Sequence, residues 1–174
     1  MPNRGKSLKK WELQEIDGND MNKNKSFLKS LKCAAIGLLK PFVTEINMRI
    51  HFSVANLIVI FAYFFGITRI EWAMLILTIA LVMAAELVNT AIEKAVDTAS
   101  KEFSNTAKFA KDTAAGAVLF CAIISVFVGF ILFFDIERIA TTLQYIFMNA
   151  RVIVPCFAVG IADICFVIFG GRTE

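Results

Sequence analysis

MLILTIALVMAAELVNTAIEKAVD, Met74–Asp97, begins as an apolar helix and ends as an acidic one. No charge falls between Trp72 and Ala85. Glu86, Glu93 and Asp97 then follow on what reads as the same helix. A carboxylate at the centre of a bilayer costs roughly 2.5–3.5 kcal/mol or more. Either this is no membrane helix, or the acids sit where the helix leaves the membrane and do chemistry there.

The rest of the chain decides for the membrane. Of 174 residues, 57% are hydrophobic, 19% are charged and 17 are Phe. Phe52–Ile67 (FSVANLIVIFAYFFGI) and Thr113–Phe134 (TAAGAVLFCAIISVFVGFILFF) are likewise uncharged. Crossing the hydrocarbon core takes about 20 mostly apolar residues in a helix. Thr113–Phe134 meets that alone, and the other two meet it with their flanks. The expected fold is an all-α membrane protein with three transmembrane helices. Ten of the 18 basic residues precede Phe52, and Lys94, Lys101, Lys108 and Lys111 cluster between the second and third runs. By the positive-inside rule the N-terminus and that loop are cytoplasmic, and the turn at Arg69 faces out. The positive charge suits anionic lipid headgroups, and no nucleic-acid partner is expected.

Residues 1–26 read as a flexible polar tail without the apolar core of a signal peptide. From Phe27 the pattern is amphipathic. Leu28, Leu31, Ala35, Leu38, Phe42 and Ile46 fall at helical spacing, with Lys25, Lys29, Lys32 and Lys40 on the other face. That is a helix lying in the membrane interface, with a kink expected at Pro41. Glu45 lands on its apolar face, either snorkelling to headgroups or serving the acids of the next helices. Residues 135–174 form a C-terminal extension. An amphipathic segment, DIERIATTLQYIFMNAR, leads into Val152–Phe169, apolar apart from Asp163 and read as a fourth span in preference to a hairpin. Cys33, Cys121, Cys156 and Cys165 have no metal-ligand or redox spacing.

At 100° per residue, Glu86, Asn89, Glu93 and Asp97 lie at about 0°, −60°, −20° and +20°, within an arc of about 80° over three turns. Three carboxylates and a carboxamide on one stripe repel each other unless cations sit there. Hard oxygen ligands of this kind favour Mg²⁺, which keeps several waters and shares its shell with phosphates. The stripe occupies the depth at which a lipid headgroup would meet a nucleotide. In AKFAKDTAAGAV, Ala107–Val118, Lys111 and Asp112 open the third span. Lys111 could neutralise phosphate oxygens, or it could be a topology signal. There is no GxxxxGK[ST], GxGxxG, HRD or DFG, so a nucleotide would bind without a glycine cradle.

The ExxNTAIExxxD stripe, the KD pair fifteen residues after its last Asp, and the E-x-x-x-R of Glu45 and Arg49 resemble the bacterial integral-membrane diacylglycerol kinases, a family that includes undecaprenol kinases. The resemblance covers residues 27–134. It implies a homotrimer in the bacterial cytoplasmic membrane with MgATP as phosphoryl donor and cytoplasmic-side active sites shared between protomers. A membrane lipid alcohol would be the acceptor. It also implies roles: Glu86 as the base for the lipid hydroxyl; Glu45 and Glu93 as metal ligands; Asn89, Glu93, Asp97, Lys111 and Asp112 around the nucleotide; Arg49 and Ala115 with Glu86 at the lipid entry. Ala115 and His51 stand where the enterobacterial diacylglycerol kinases have a Ser and an acid. A less polar entry points to undecaprenol before diacylglycerol. A small cation- or proton-handling membrane protein would also place acids in a span, but it would need neither the Lys111–Asp112 pair nor an entry helix carrying Glu45.

Overall fold

The structure is a computed structural model that describes residues 26–99 and 104–171. Regular structure among these residues is entirely helical. The chain divides into two units, Met1–Lys40 and Pro41–Glu174. In the first, helix α1 (residues 26–44) starts at the onset of the amphipathic pattern, and its residues up to Lys40 belong here. Phe27, Leu28, Leu31 and Leu38 are all more than half exposed, as befits an apolar face meant for the bilayer interface. The tail before residue 26 lies outside the described residues.

In the second unit the helical assignment passes through Pro41, and the interruption comes at Glu45, which is extended at φ −110° and ψ 121°. Four longer helices and one short one follow: α2 (Ile46–Phe65), α3 (Arg69–Ala99), α4 (Asn105–Phe133), α5 (Ile136–Met148) and α6 (Ala150–Phe169). Of these, α2, α3, α4 and α6 are long and apolar enough to cross a membrane. Val152–Phe169 therefore lies within one continuous helix, α6, that runs through Pro155 and is no hairpin.

The turn between α2 and α3 is fixed locally. Gly66 closes α2 in the left-handed region (φ 72°), where a side chain would be strained, and its N–H donates to the Ala62 carbonyl at 3.0 Å. Thr68 and Glu71 then form a reciprocal cap, Thr68 N–H to Glu71 Oε2 at 2.6 Å and Glu71 N–H to Thr68 Oγ1 at 3.4 Å. Around this turn Ala62, Phe65, Ile67, Leu75 and Leu132 form a buried cluster. Phe133 meets Phe61 and Phe65 with ring centroids 5.3 and 5.2 Å apart. In lipid, where apolar burial drives little association, such edge-on pairs contribute about 0.5–1.5 kcal/mol each. From α5, Arg138 donates to the Gly66 carbonyl at 2.6 Å and covers the Phe65 ring at 4.5 Å.

With 31 residues, α3 is about 46 Å long, against a hydrocarbon core of about 30 Å. Counted from Arg69, about 20 residues cross that core, so the boundary falls near Asn89, with Glu86 just inside it and Glu93 and Asp97 beyond. That excess length puts the stripe at the boundary.

Candidate active site

Two elements converge on the acids. On α3, the 100° step keeps Glu86, Asn89 and Glu93 on one side. Against them stands the start of α2, where the extended Glu45 directs its side chain to α3. Glu86 is 2% exposed and Asn89 4%. Glu86 lies within electrostatic reach of both Glu93 and Glu45, and the Asn47 side chain is within bonding reach of its carboxyl. Two carboxylates, one from each element, thus act on the buried Glu86.

The neighbours show what these acids want. Lys94 Nζ sits 3.1 Å from Glu45 Oε1. The Asn89 amide donates to Glu93 Oε1 at 3.1 Å, which leaves Asn89 Oδ1 buried with no hydrogen-bond partner. A buried acceptor without a donor costs about 1–3 kcal/mol, and a cation placed there would relieve it. Among the described residues no three His, Cys, Asp or Glu side chains converge closely enough to hold a metal alone. Two carboxylates and a carboxamide oxygen nevertheless fit the incomplete protein shell that Mg²⁺ accepts when phosphates and water complete it.

One turn beyond Glu93, Asp97 accepts from Lys111 Nζ at 2.9 Å. Glu93 also acts on Lys111 electrostatically. This pair joins the ends of α3 and α4 and places the cation at the water-facing end of the stripe.

Other expected members lie elsewhere. Asp112 and Ala115 are exposed on α4. Arg49 is buried with its guanidinium on backbone: Nη1 donates to the Val43 carbonyl at 2.8 Å and Nε to the Val167 carbonyl of α6 at 3.3 Å. It holds backbone here. Asn47 and Lys94 were not singled out in the sequence. Asn47 carried a signal in being the one polar residue between Glu45 and Arg49. Lys94 resembled one more cytoplasmic topology charge.

Below Glu86 an apolar cavity of about 490 Å³ opens between α2, α3 and α4. Val82 and Met83 line its near end with His51, and Phe61, Leu75 and Phe133 its far end. The dry carboxylate therefore stands where apolar space meets the acidic stripe.

Residues 32–133 match the family described as prokaryotic diacylglycerol kinase. An undecaprenol kinase of Bacillus subtilis is 36% identical over 115 residues, which are 66% of this chain and 91% of that protein. A diacylglycerol kinase of Synechocystis is 42% identical over 105 residues, 60% of each chain. One from Escherichia coli is 31% identical over 108 residues, 60% of this chain and 88% of the relative. No solved structure matches at a significant level.

Proposed function

The chain belongs to the prokaryotic diacylglycerol kinase family, and we propose that it transfers the γ-phosphate of MgATP to the hydroxyl of a membrane lipid alcohol, undecaprenol before diacylglycerol. The observation that carries this reading is the place of Glu86: almost fully buried, at the junction of an apolar cavity and a stripe of acids that runs outward to a Lys–Asp pair. A lipid hydroxyl can come from the apolar side and a nucleotide from the wet side.

Phosphoryl transfer needs in-line positioning, neutralisation of phosphate charge and a base for the attacking hydroxyl. Glu86 takes the proton as the lipid oxygen bonds to the γ-phosphorus. The bond from that phosphorus to the β-phosphate oxygen breaks, and ADP leaves. Glu45, Glu93 and the unpaired Asn89 oxygen would hold Mg²⁺, which when bound neutralises phosphate oxygens. Lys94 then leaves Glu45. Lys111, kept at the stripe by Asp97, neutralises further phosphate charge. The exposed Asp112 and Ala115 would complete the site of a neighbouring protomer in a homotrimer. In support, α4 and α6 are the least covered spans within one chain. The positive-inside pattern supports a bacterial cytoplasmic membrane with the site on the cytoplasmic side.

Undecaprenol is favoured because the entry is apolar. His51 and the walls of the cavity offer little to the two ester carbonyls of a diacylglycerol. The test is transfer of radiolabelled γ-phosphate in mixed micelles containing undecaprenol or diacylglycerol at equal mole fraction, with Mg²⁺ present or chelated. Metal-dependent label on undecaprenol is expected. A clear preference for diacylglycerol overturns the acceptor, and no label on either lipid overturns the kinase.

A further inference from the structure

The family match ends at residue 133, and α6 lies beyond it. Yet α6 runs antiparallel along α2 and is bound to it by polar contacts that a mere membrane anchor would not need. Asp163 is 7% exposed inside Val152–Phe169, a stretch with no other charge. Both its oxygens accept from Asn56 Nδ2, at 3.3 and 3.1 Å. An ionisable group at such depth is costly unless partnered, so this pair sets the register of α6 on α2. One turn on, Phe166 meets Phe52 edge-on with centroids 6.1 Å apart, and Val167 gives its carbonyl to Arg49 Nε. One more turn on, Gly171 leaves room for the guanidinium: a Cβ there would lie 2.9–3.3 Å from its Nη2, Nη1 and Cζ atoms. Arg49, Phe52 and Asn56 are spaced i, i+3, i+7, so a single face of α2 receives α6.

The other arm of Arg49 reaches the Val43 carbonyl at 2.8 Å, two residues before the extended Glu45. Besides the Arg49 side chain, Glu45 N–H to Pro41 O at 2.9 Å, Arg49 N–H to Glu45 O at a long 3.4 Å and Thr44 Oγ1 to Glu45 Oε1 at 3.1 Å support this bend. We infer that α6 is a positioning element of the site: Asp163 and Asn56 set its register, its last turn holds Arg49, and Arg49 fixes the bend that aims Glu45 at the stripe. This rests on the reading of Glu45 as a metal ligand, and Arg49 and Asp163 act through it without touching substrate.

The test uses the full chain in detergent micelles. Hydrogen–deuterium exchange over residues 43–49 reads the bend without any ligand. Half-saturation by Mn²⁺ in the presence of a non-hydrolysable ATP analogue, followed by electron paramagnetic resonance, reads the ligand. Gly171→Val and Asp163→Leu should speed exchange over 43–49, leave residues 84–93 unchanged, and raise the half-saturating Mn²⁺ about tenfold, the scale of one charge-assisted hydrogen bond. Asp163→Asn keeps an acceptor for Asn56 and should stay near wild type. Arg49→Ala should reproduce the defect, and adding Gly171→Val to it should change nothing more. Unchanged exchange and Mn²⁺ affinity in Gly171→Val overturn the inference, as does a full additional effect on top of Arg49→Ala. Gly171 lies past the end of α6, so its variant carries the test if Asp163→Leu fails to fold. If Glu45→Ala leaves Mn²⁺ affinity unchanged, the metal reading fails, while the exchange data still decide whether α6 positions the bend.

Discussion

Replacing Glu86 with Gln isolates one chemical property at a site whose packing stays the same. The side chain keeps its volume at 2% exposure, and a nearby Asn47 can still donate to the remaining carbonyl oxygen. Removing a negative charge also relieves repulsion from Glu93 and Glu45. Stability should therefore hold or rise slightly, by no more than about 1 kcal/mol. The rate should not hold. A positioned general base contributes about 10²–10⁴-fold, equivalent to roughly 2.7–5.4 kcal/mol of transition-state stabilisation. The assay is the initial rate of phosphate transfer at saturating lipid and MgATP, with thermal unfolding measured on the same preparation. A folded Glu86→Gln variant with kcat within about threefold of wild type would refute the base assignment.

Three further outcomes follow from other contacts. Lys94→Met removes a competitor from Glu45 and should lower the Mg²⁺ concentration for half-maximal rate by about two- to fivefold, the scale of an exposed ion pair; an unchanged or higher value would show that Lys94 does not compete with metal. Lys111→Ala should raise KM for ATP about tenfold with KM for lipid unchanged, and an effect on lipid alone would remove Lys111 from the nucleotide. If sites are shared, equal mixtures of Glu86→Gln and Asp112→Ala protomers should restore roughly a quarter of sites by random assembly, and absence of rescue would count against a composite site.

Single-helix geometry was legible from sequence because two strong physical terms write it plainly. Charge is costly in hydrocarbon, so the uncharged runs mark the spans, and the 100° step puts Glu86, Asn89 and Glu93 together with no tertiary information. Phase is lost where the helix breaks. A kink was expected at Pro41, and the helix breaks at Glu45 as well, so a helical phase carried from Leu31 and Leu38 said nothing of Asn47. Pairing between helices was not legible at all. Arg49 stands in a motif that pointed to substrate, but its guanidinium is held by two backbone carbonyls, and backbone carries no side-chain signal. Asn56 and Asp163 are 107 residues apart, and each alone reads as an isolated polar residue in an apolar run.

A gradient along α3 explains how one helix can serve two substrates of opposite polarity. From Glu86 to Asp97 the axis advances about 16 Å. Over that distance the environment passes from near-complete burial at Glu86 to an Asp97 side chain that is 59% exposed. The same functional group acquires different properties at each depth. At the dry end an interaction with a proton or a cation is strong because little water screens it; at the wet end an ion pair such as Lys111–Asp97 is weak enough to exchange partners. In the proposed reaction Glu86 would meet the lipid hydroxyl at the dry end, and Lys111 would meet the nucleotide arriving from water. A shorter α3 would end in the membrane and lose the wet end. An acidic stripe placed about three turns earlier would bring Asp97's counterpart inside the hydrocarbon boundary, where its Lys partner could not leave it. The 31-residue length of α3, long enough to overshoot the bilayer by about three turns, is thus itself a condition of the site.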